Sequence, residues 1–118
     1  MTLGRIGVWL GSIGLLGADA ERAAAQALGA AGYGALWFGE SKANKEALSH
    51  AAMLLDGTER ITVATGIASI WLRSATSAAN GSAALAEAHP GRFVLGLGVS
   101  HAPIVTSIGL DYDKPLTR

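Results

Sequence analysis

Short, wholly apolar runs alternate along the chain with longer stretches in which small apolar residues recur three and four positions apart. Residues 5–9, Arg5-Ile6-Gly7-Val8-Trp9, read as a first strand, and Gly11, Gly14 and Gly17 mark the loop that follows. Asp19 is placed to cap a helix reaching about Ala31, with Ala23, Ala27, Leu28 and Ala31 as its apolar positions and Gly32 as its stop. Ala35-Leu36-Trp37-Phe38 is a second strand. After the polar break Lys42-Ala43-Asn44, with Asn44 as cap, the spacing predicts a helix over 45–56 whose inner face is Ala47, Leu48, Ala51, Leu54 and Leu55. Residues 61–67 are rich in β-branched side chains and predict a third strand. An alanine-rich helix is expected over 74–89, weakened by about 1 kcal/mol at Gly81 and stopped by Pro90-Gly91. Residues 93–98 predict a fourth strand, and the segment from Ala102 onward shows no clear period.

The resulting order is βαβαβαβ. Continuous apolar strands are expected where both faces of a sheet are covered. Right-handed crossovers then give a parallel sheet with outer helices. The unit repeats about every 30 residues. Periodicity alone leaves two architectures open, a four-stranded open sheet and half of an eight-stranded barrel.

Composition narrows the functional classes. Half of the 118 residues are apolar, 15% are charged and the formal net charge is zero. That is a globular balance with no basic stripe for nucleic acid or for an anionic membrane. There is no cysteine, so neither a disulfide framework nor a thiolate metal site is available. His50, His89 and His101 are scattered without ligand spacing, and no metal is expected. His50 is expected in packing or on the surface, and His89 at a helix C-terminus. No apolar run approaches the roughly 20 residues of a membrane span, and the first residues lack the character of a signal peptide, so a cytoplasmic location is expected. The heavy glycine and alanine content buries little apolar area per residue, which would leave a chain this short marginally stable alone.

Gly4-Arg5-Ile6-Gly7-Val8-Trp9, Gly32-Tyr33-Gly34-Ala35-Leu36-Trp37, the run 58–67 beginning Thr58-Glu59-Arg60 and ending Gly66-Ile67, and the run 90–101 from Pro90-Gly91-Arg92-Phe93 to Val99-Ser100-His101 fall in one order. Together they resemble the N-terminal half of the luciferase-like oxidoreductases that use the deazaflavin F420. The resemblance covers nearly the whole chain, whereas a complete barrel of that type needs about 250 residues. It implies an α/β fold, the N-terminal half of a (β/α)8 TIM barrel with four parallel strands and outer helices, forming one partial domain over 1–118. It also implies a ligand at the C-terminal ends of the strands, and it places the relatives' phosphate-binding glycine and arginine positions on later strands, outside residues 1–118.

The site residues are carried by the same resemblance. Gly66-Ile67, just after Thr65, matches the place where F420-using members carry a non-prolyl cis peptide backing the deazaflavin ring. Glu40-Ser41 falls where relatives place an acid and a polar residue toward the ring, and Trp9 is positioned to line its pocket. Gly98-Val99-Ser100 leaves the fourth strand with a backbone that can approach a ligand closely. Several relatives have an acid near the position of His101; here an imidazole stands, suited to proton transfer near neutrality. The expected catalytic residues are therefore His101 and Glu40, with Trp9, Ser41, Thr65, Gly66, Ile67, Gly98, Val99 and Ser100 at the cofactor. Serine, tryptophan and glycine at such positions are equally compatible with an ordinary core or loop.

Two classes of function follow. One is an F420-dependent oxidoreductase that passes hydride between the deazaflavin and a small organic substrate, with an FMN-dependent luciferase-like monooxygenase as its close variant. The other is a non-catalytic half-barrel whose unpaired strand edges recruit another chain, as a homo-oligomer or with a completing polypeptide.

Overall fold

The computed structural model describes residues 3–117. Its elements are β1 (Gly7–Trp9), α1 (Ala18–Ala30), β2 (Ala35–Phe38), α2 (Ala47–Asp56), β3 (Thr62–Thr65), β4 (Ala68–Ser69), α3 (Ala75–Ala88), β5 (Phe93–Val94), β6 (Leu97–Gly98) and α4 (Ala102–Ser107). A parallel sheet runs in the order β1-β2-β3-β5, and β4 pairs with β6 in a short parallel extension. In-order neighbours, all parallel and joined by helices, are the arrangement of four units of a TIM barrel.

The register assigns the two faces of the sheet. Gly7 lies beside Ala35, Trp9 beside Trp37, and Trp37 beside Ala64, which in turn pairs with Val94. Because side chains alternate along a strand, these residues share one face. Val8, Leu36, Phe38, Val63 and Phe93 point the other way, into the core with Ala25, Ala51, Leu54 and Leu55 from α1 and α2.

Several expected boundaries shift, each for a local reason. Residues 5–6 lie outside the paired part of β1. The cap of α1 is Gly17, with no side-chain cap bond, and Asp19 lies in the first turn, where its charge opposes the positive helix end. The buried stripe of α1 is Glu21 and Ala25, with Leu28 packed beside the core, while Ala23, Ala27 and Ala31 are exposed. An ion pair hides that stripe from a hydrophobic count. The cap of α2 is Glu46, not Asn44: its carboxylate accepts from the Leu48 and Ser49 amides at 2.9 Å each. Asn44 instead accepts from Lys45 N and donates to Gly11 O.

The helix expected from Ser74 begins at Ala75, and Ser74 is its cap, accepting from Ser77 N at 3.0 Å. Gly81 has a packing reason: a Cβ there would come within 2.6 Å of Leu48 Cδ1 on α2. Gly91, at φ +71°, takes the chain out of α3 toward β5. The continuous strands expected over 61–67 and 93–98 are each broken in two. At the break Thr65 Oγ1 donates to Gly96 O and accepts from Gly96 N, both at 2.8 Å, in place of a regular ladder. A Cβ on Gly96 would fall 2.1 Å from Thr65 O. The Gly66–Ile67 peptide is cis. The segment expected to be irregular contains α4, with Pro103 in its first turn, where the missing amide costs no helical bond.

Candidate functional site

The sheet's open face and the loops at the C-terminal ends of its strands bring most of the expected site residues together. Trp9, the last residue of β1, donates from Nε1 to Gly66 O at 2.6 Å. Its ring lies over Gly11, where a Cβ would come within 2.4 Å of the indole, and an ideal Cβ on Gly39 would sit 3.4 Å from it. The side chain is nevertheless 59% exposed. A tryptophan pinned by a hydrogen bond and still mostly exposed is unlike a core tryptophan. Trp37 stands beside it in register.

The 66–69 segment is packed against the 96–98 segment. A Cβ on Gly98 would come within 2.6 Å of Ile67 Cγ1, so only glycine lets the two approach this closely. Thr65 is fully buried and spends its hydroxyl on Gly96, so it shapes the break between strands rather than facing solvent. Val99 accepts from Trp71 Nε1 at 2.7 Å. Ser100 adopts φ +55°, and the next residue, His101, precedes α4 with an exposed side chain. Ser41 is exposed in the loop after β2.

Glu40 accepts four hydrogen bonds. Its Oε1 accepts from Ser69 N and Arg73 Nη1, both at 2.9 Å. Its Oε2 accepts from Ala47 N and Arg73 Nη2, both at 2.6 Å. The carboxylate is 1% exposed and the guanidinium 6%. This two-pronged pair has the geometry in which arginine and carboxylate bind best. It ties the end of β2 to the start of α2 and to β4. Arg73 also donates to Ser69 O at 2.6 Å and to Glu46 at 2.9 Å. The hydrogen bond to Glu40 raises the Arg73 pKa above its ordinary value. For Glu46, partial burial works to raise the pKa. The hydrogen bonds from Ser49, Leu48 and Arg73 outweigh it and hold the carboxyl at about 2.

Arg73 and Glu46 were not among the sequence candidates. The signal for Arg73 was weak: an arginine beside the Ser74 cap, in a chain with few charges. No spacing links it to Glu40, 33 positions earlier.

A second charged cluster lies behind the loop after β1. Glu21 on α1 is wholly buried and bonds His50 Nε2 on α2 through Oε1. Its Oε2 lies 2.9 Å from Lys45 Nζ, which also donates to Gly14 O and Leu16 O at 2.8 Å each. Burial lowers the His50 pKa, against the pull of Glu21 and with the repulsion of Lys45. That direction is physically consistent, because Lys45 already neutralises Glu21 and a second buried cation would be uncompensated. The ring lies 4.2 Å from that of Phe38, tilted by 46°, so of the two places expected for His50, packing or surface, the structure gives packing.

No group of three or more metal-ligating side chains occurs among the described residues, and none of their helices is long and apolar enough to cross a membrane.

Comparison with known proteins places this geometry. Over 86 residues the chain is 28% identical to 5,10-methylenetetrahydromethanopterin reductase of Methanolobus tindarius, an alignment covering 73% of this chain and 26% of that protein. The fold superposes on coenzyme F420 dependent tetrahydromethanopterin reductase from Methanopyrus kandleri with a TM-score of 0.79 at 17% identity, over 92% of this chain and 31% of that one. The chain thus spans less than a third of the length of either. The profile of the luciferase-like monooxygenase family matches residues 1–118. With that match end to end, and with four parallel βα units of a barrel beneath it, the chain belongs to the luciferase-like monooxygenase family.

Proposed function

We propose that residues 1–118 form one partial barrel domain that holds the ring of F420 against the Trp9–Gly66 surface and serves hydride transfer to or from a small organic substrate. The observation that carries this reading is Trp9: mostly exposed, yet fixed to Gly66 O at the C-terminal ends of the strands, where barrel chemistry is built. The reductase relatives support it, since one is named for dependence on coenzyme F420. F420 would supply hydride transfer at its deazaflavin ring; the protein supplies orientation and protons.

In this reading Trp9 and the backbone of Gly66 and Ile67 form the shelf, and Gly98, Val99 and Ser100 form the adjoining edge. Thr65 keeps that edge in place through Gly96. His101, exposed beside the edge, is the group available to give or take a proton. Glu40 has its carboxylate lone pairs engaged by Arg73 and backbone amides, so we assign it to positioning the wall that carries Ser41 and Ser69. β1 and β5 are the outer strands of the sheet. Their free edges suit pairing with further strands, from a second copy or a completing chain.

A titration of the purified chain with F420, with FMN as comparator, tests the reading. Saturable F420 binding that weakens at least tenfold in Trp9→Ala, with the circular dichroism unchanged, is the expected result. Equal binding by Trp9→Ala, or FMN bound in preference to F420, overturns it.

A further inference from the structure

A cleft of about 560 Å³ opens between the 40–46 loop, the 69–72 turn and α4. Its volume falls in the range of small-molecule sites. One wall is apolar: Trp71, Leu72, Ile104, Ile108 and Leu110. Three of these are large hydrophobic side chains left open to solvent, Leu72 at 44%, Ile104 at 38% and Leu110 at 37%. The wall is also held in shape. Trp71 donates to Val99 O, and its ring packs 5.0 Å from that of Tyr112.

The other wall carries charge, most of it already answered. Glu40 is clamped by Arg73, Glu46 is turned onto the first amides of α2 and onto Arg73, and Lys45 is paired with Glu21. Lys42 differs. No carboxylate lies within salt-bridge distance of it among the described residues, and its ammonium makes a 3.3 Å bond to Ser107 O, long for a charged donor. A preformed apolar wall facing one uncommitted cation is complementary to an apolar chain ending in a single negative charge.

We propose that this cleft binds an alkyl or arylalkyl monocarboxylate, with Lys42 receiving the carboxylate and the Leu72–Ile104–Leu110 wall receiving the hydrocarbon. The cleft adjoins the proposed cofactor edge, with Ser41, Ser69 and Ser100 in its lining; its test does not rest on the cofactor reading, since binding is measured without cofactor.

The test uses octanoate, hexanoate and octanol as probes, followed by shifts of the leucine and isoleucine methyl signals in the labelled full chain. Octanoate is expected to saturate at millimolar concentrations and to shift Leu72, Ile104 and Leu110. Hexanoate should bind more weakly, by about fourfold per methylene removed. Lys42→Met should weaken octanoate about fivefold, as for an exposed ion pair, and leave octanol unchanged. Ile104→Asp should abolish both. Both positions are exposed, so the variants leave the core untouched. The proposal is overturned if octanoate shifts none of these methyls, if Lys42→Met binds it as the parent does, or if Lys42→Met weakens octanol and octanoate equally. It is also overturned if Ile104→Asp converts a dimer to a monomer without changing octanoate affinity, because the apolar wall would then be covered by a second copy.

Discussion

Leu36 and Trp37 are neighbours in β2, yet they belong to different environments. Leu36 is wholly buried under α1 and α2 with Phe38 and Val63, while Trp37 points to the side where Trp9 stands 59% exposed. On the helix side, residues are large, aliphatic or aromatic, and packed; their work is to hold the sheet. On the other side small residues alternate with two indoles; Ala35 and Ala64 are covered and Trp9 is left open. The packed face holds the fold and the other carries the binding proposed above, so substitutions should separate the two.

The largest expected effect on folding comes from the helix side. Phe38→Ala removes a fully buried ring that also stacks on His50, and urea unfolding should show a loss of about 3–5 kcal/mol. A loss under about 1 kcal/mol would mean the core closes elsewhere and the contrast between faces fails. Next is Glu21→Gln, which leaves Lys45 and His50 without their carboxylate. With Glu21 wholly buried, the cost should be about 3 kcal/mol. Thermal unfolding of Glu21→Gln beside His50→Gln sharpens the point, because the neutral His50 should prove the cheaper of the two to replace.

Smaller still, and readable without a severe loss of fold, is the acid response. Two depressed pKa values give two windows. His50 is neutral in the folded protein and free to protonate when unfolded, so stability should fall as pH drops below its ordinary value of 6.5. Glu46, held at about 2 against an ordinary 4.5, contributes stability that is complete above about 4.5 and lost as pH falls toward 2. In Glu46→Gln the slope of stability between pH 4.5 and 2 should flatten while the slope below 6.5 persists. An unchanged lower slope would remove Glu46 from the account. The smallest effect on folding should come from the open side. Trp9→Ala gives up one exposed hydrogen bond and part of one ring, about 1 kcal/mol, while its effect on F420 binding should be the largest of any substitution named here. A variant that unfolds as readily as Phe38→Ala would show that both faces serve the core alike.

The order of elements was readable because its signals are local. The apolar runs at 35–38 and within 61–67, the glycines at 32 and 91, and the alanine-rich run after Ser74 each act within a few residues, and the elements they predict are present. The face of α2 was readable for the same reason. The face of α1 was not, because Glu21 looks like a surface residue until His50 and Lys45 are brought to it from positions 29 and 24 further along. The capping of α2 was misread because Asn44 and Glu46 are both plausible caps, and the choice depends on where Gly11 and Arg73 lie. α4 escaped notice because its burial amounts to Val105 alone.

The candidate site divides along the same line. The resemblance of the strand-end phrases pointed to Trp9, Gly66, Gly98 and His101, and these do gather at the C-terminal ends of the strands. What those residues do there could not be read from their types. The resemblance offered Glu40 as a catalytic carboxylate; in space both its oxygens accept from Arg73 and from backbone amides, and that arginine carried no motif. By itself the sequence determined the alternation of strands and helices, because backbone preference and apolar period are properties of neighbouring residues, while the family came from the resemblance of four phrases in order. Only the tertiary structure decided which charges are spent and which remain available. Glu40 is spent on Arg73, Glu21 on Lys45, and Lys42 is left facing an apolar cleft, since hydrogen bonding and desolvation depend on groups brought together from distant parts of the chain.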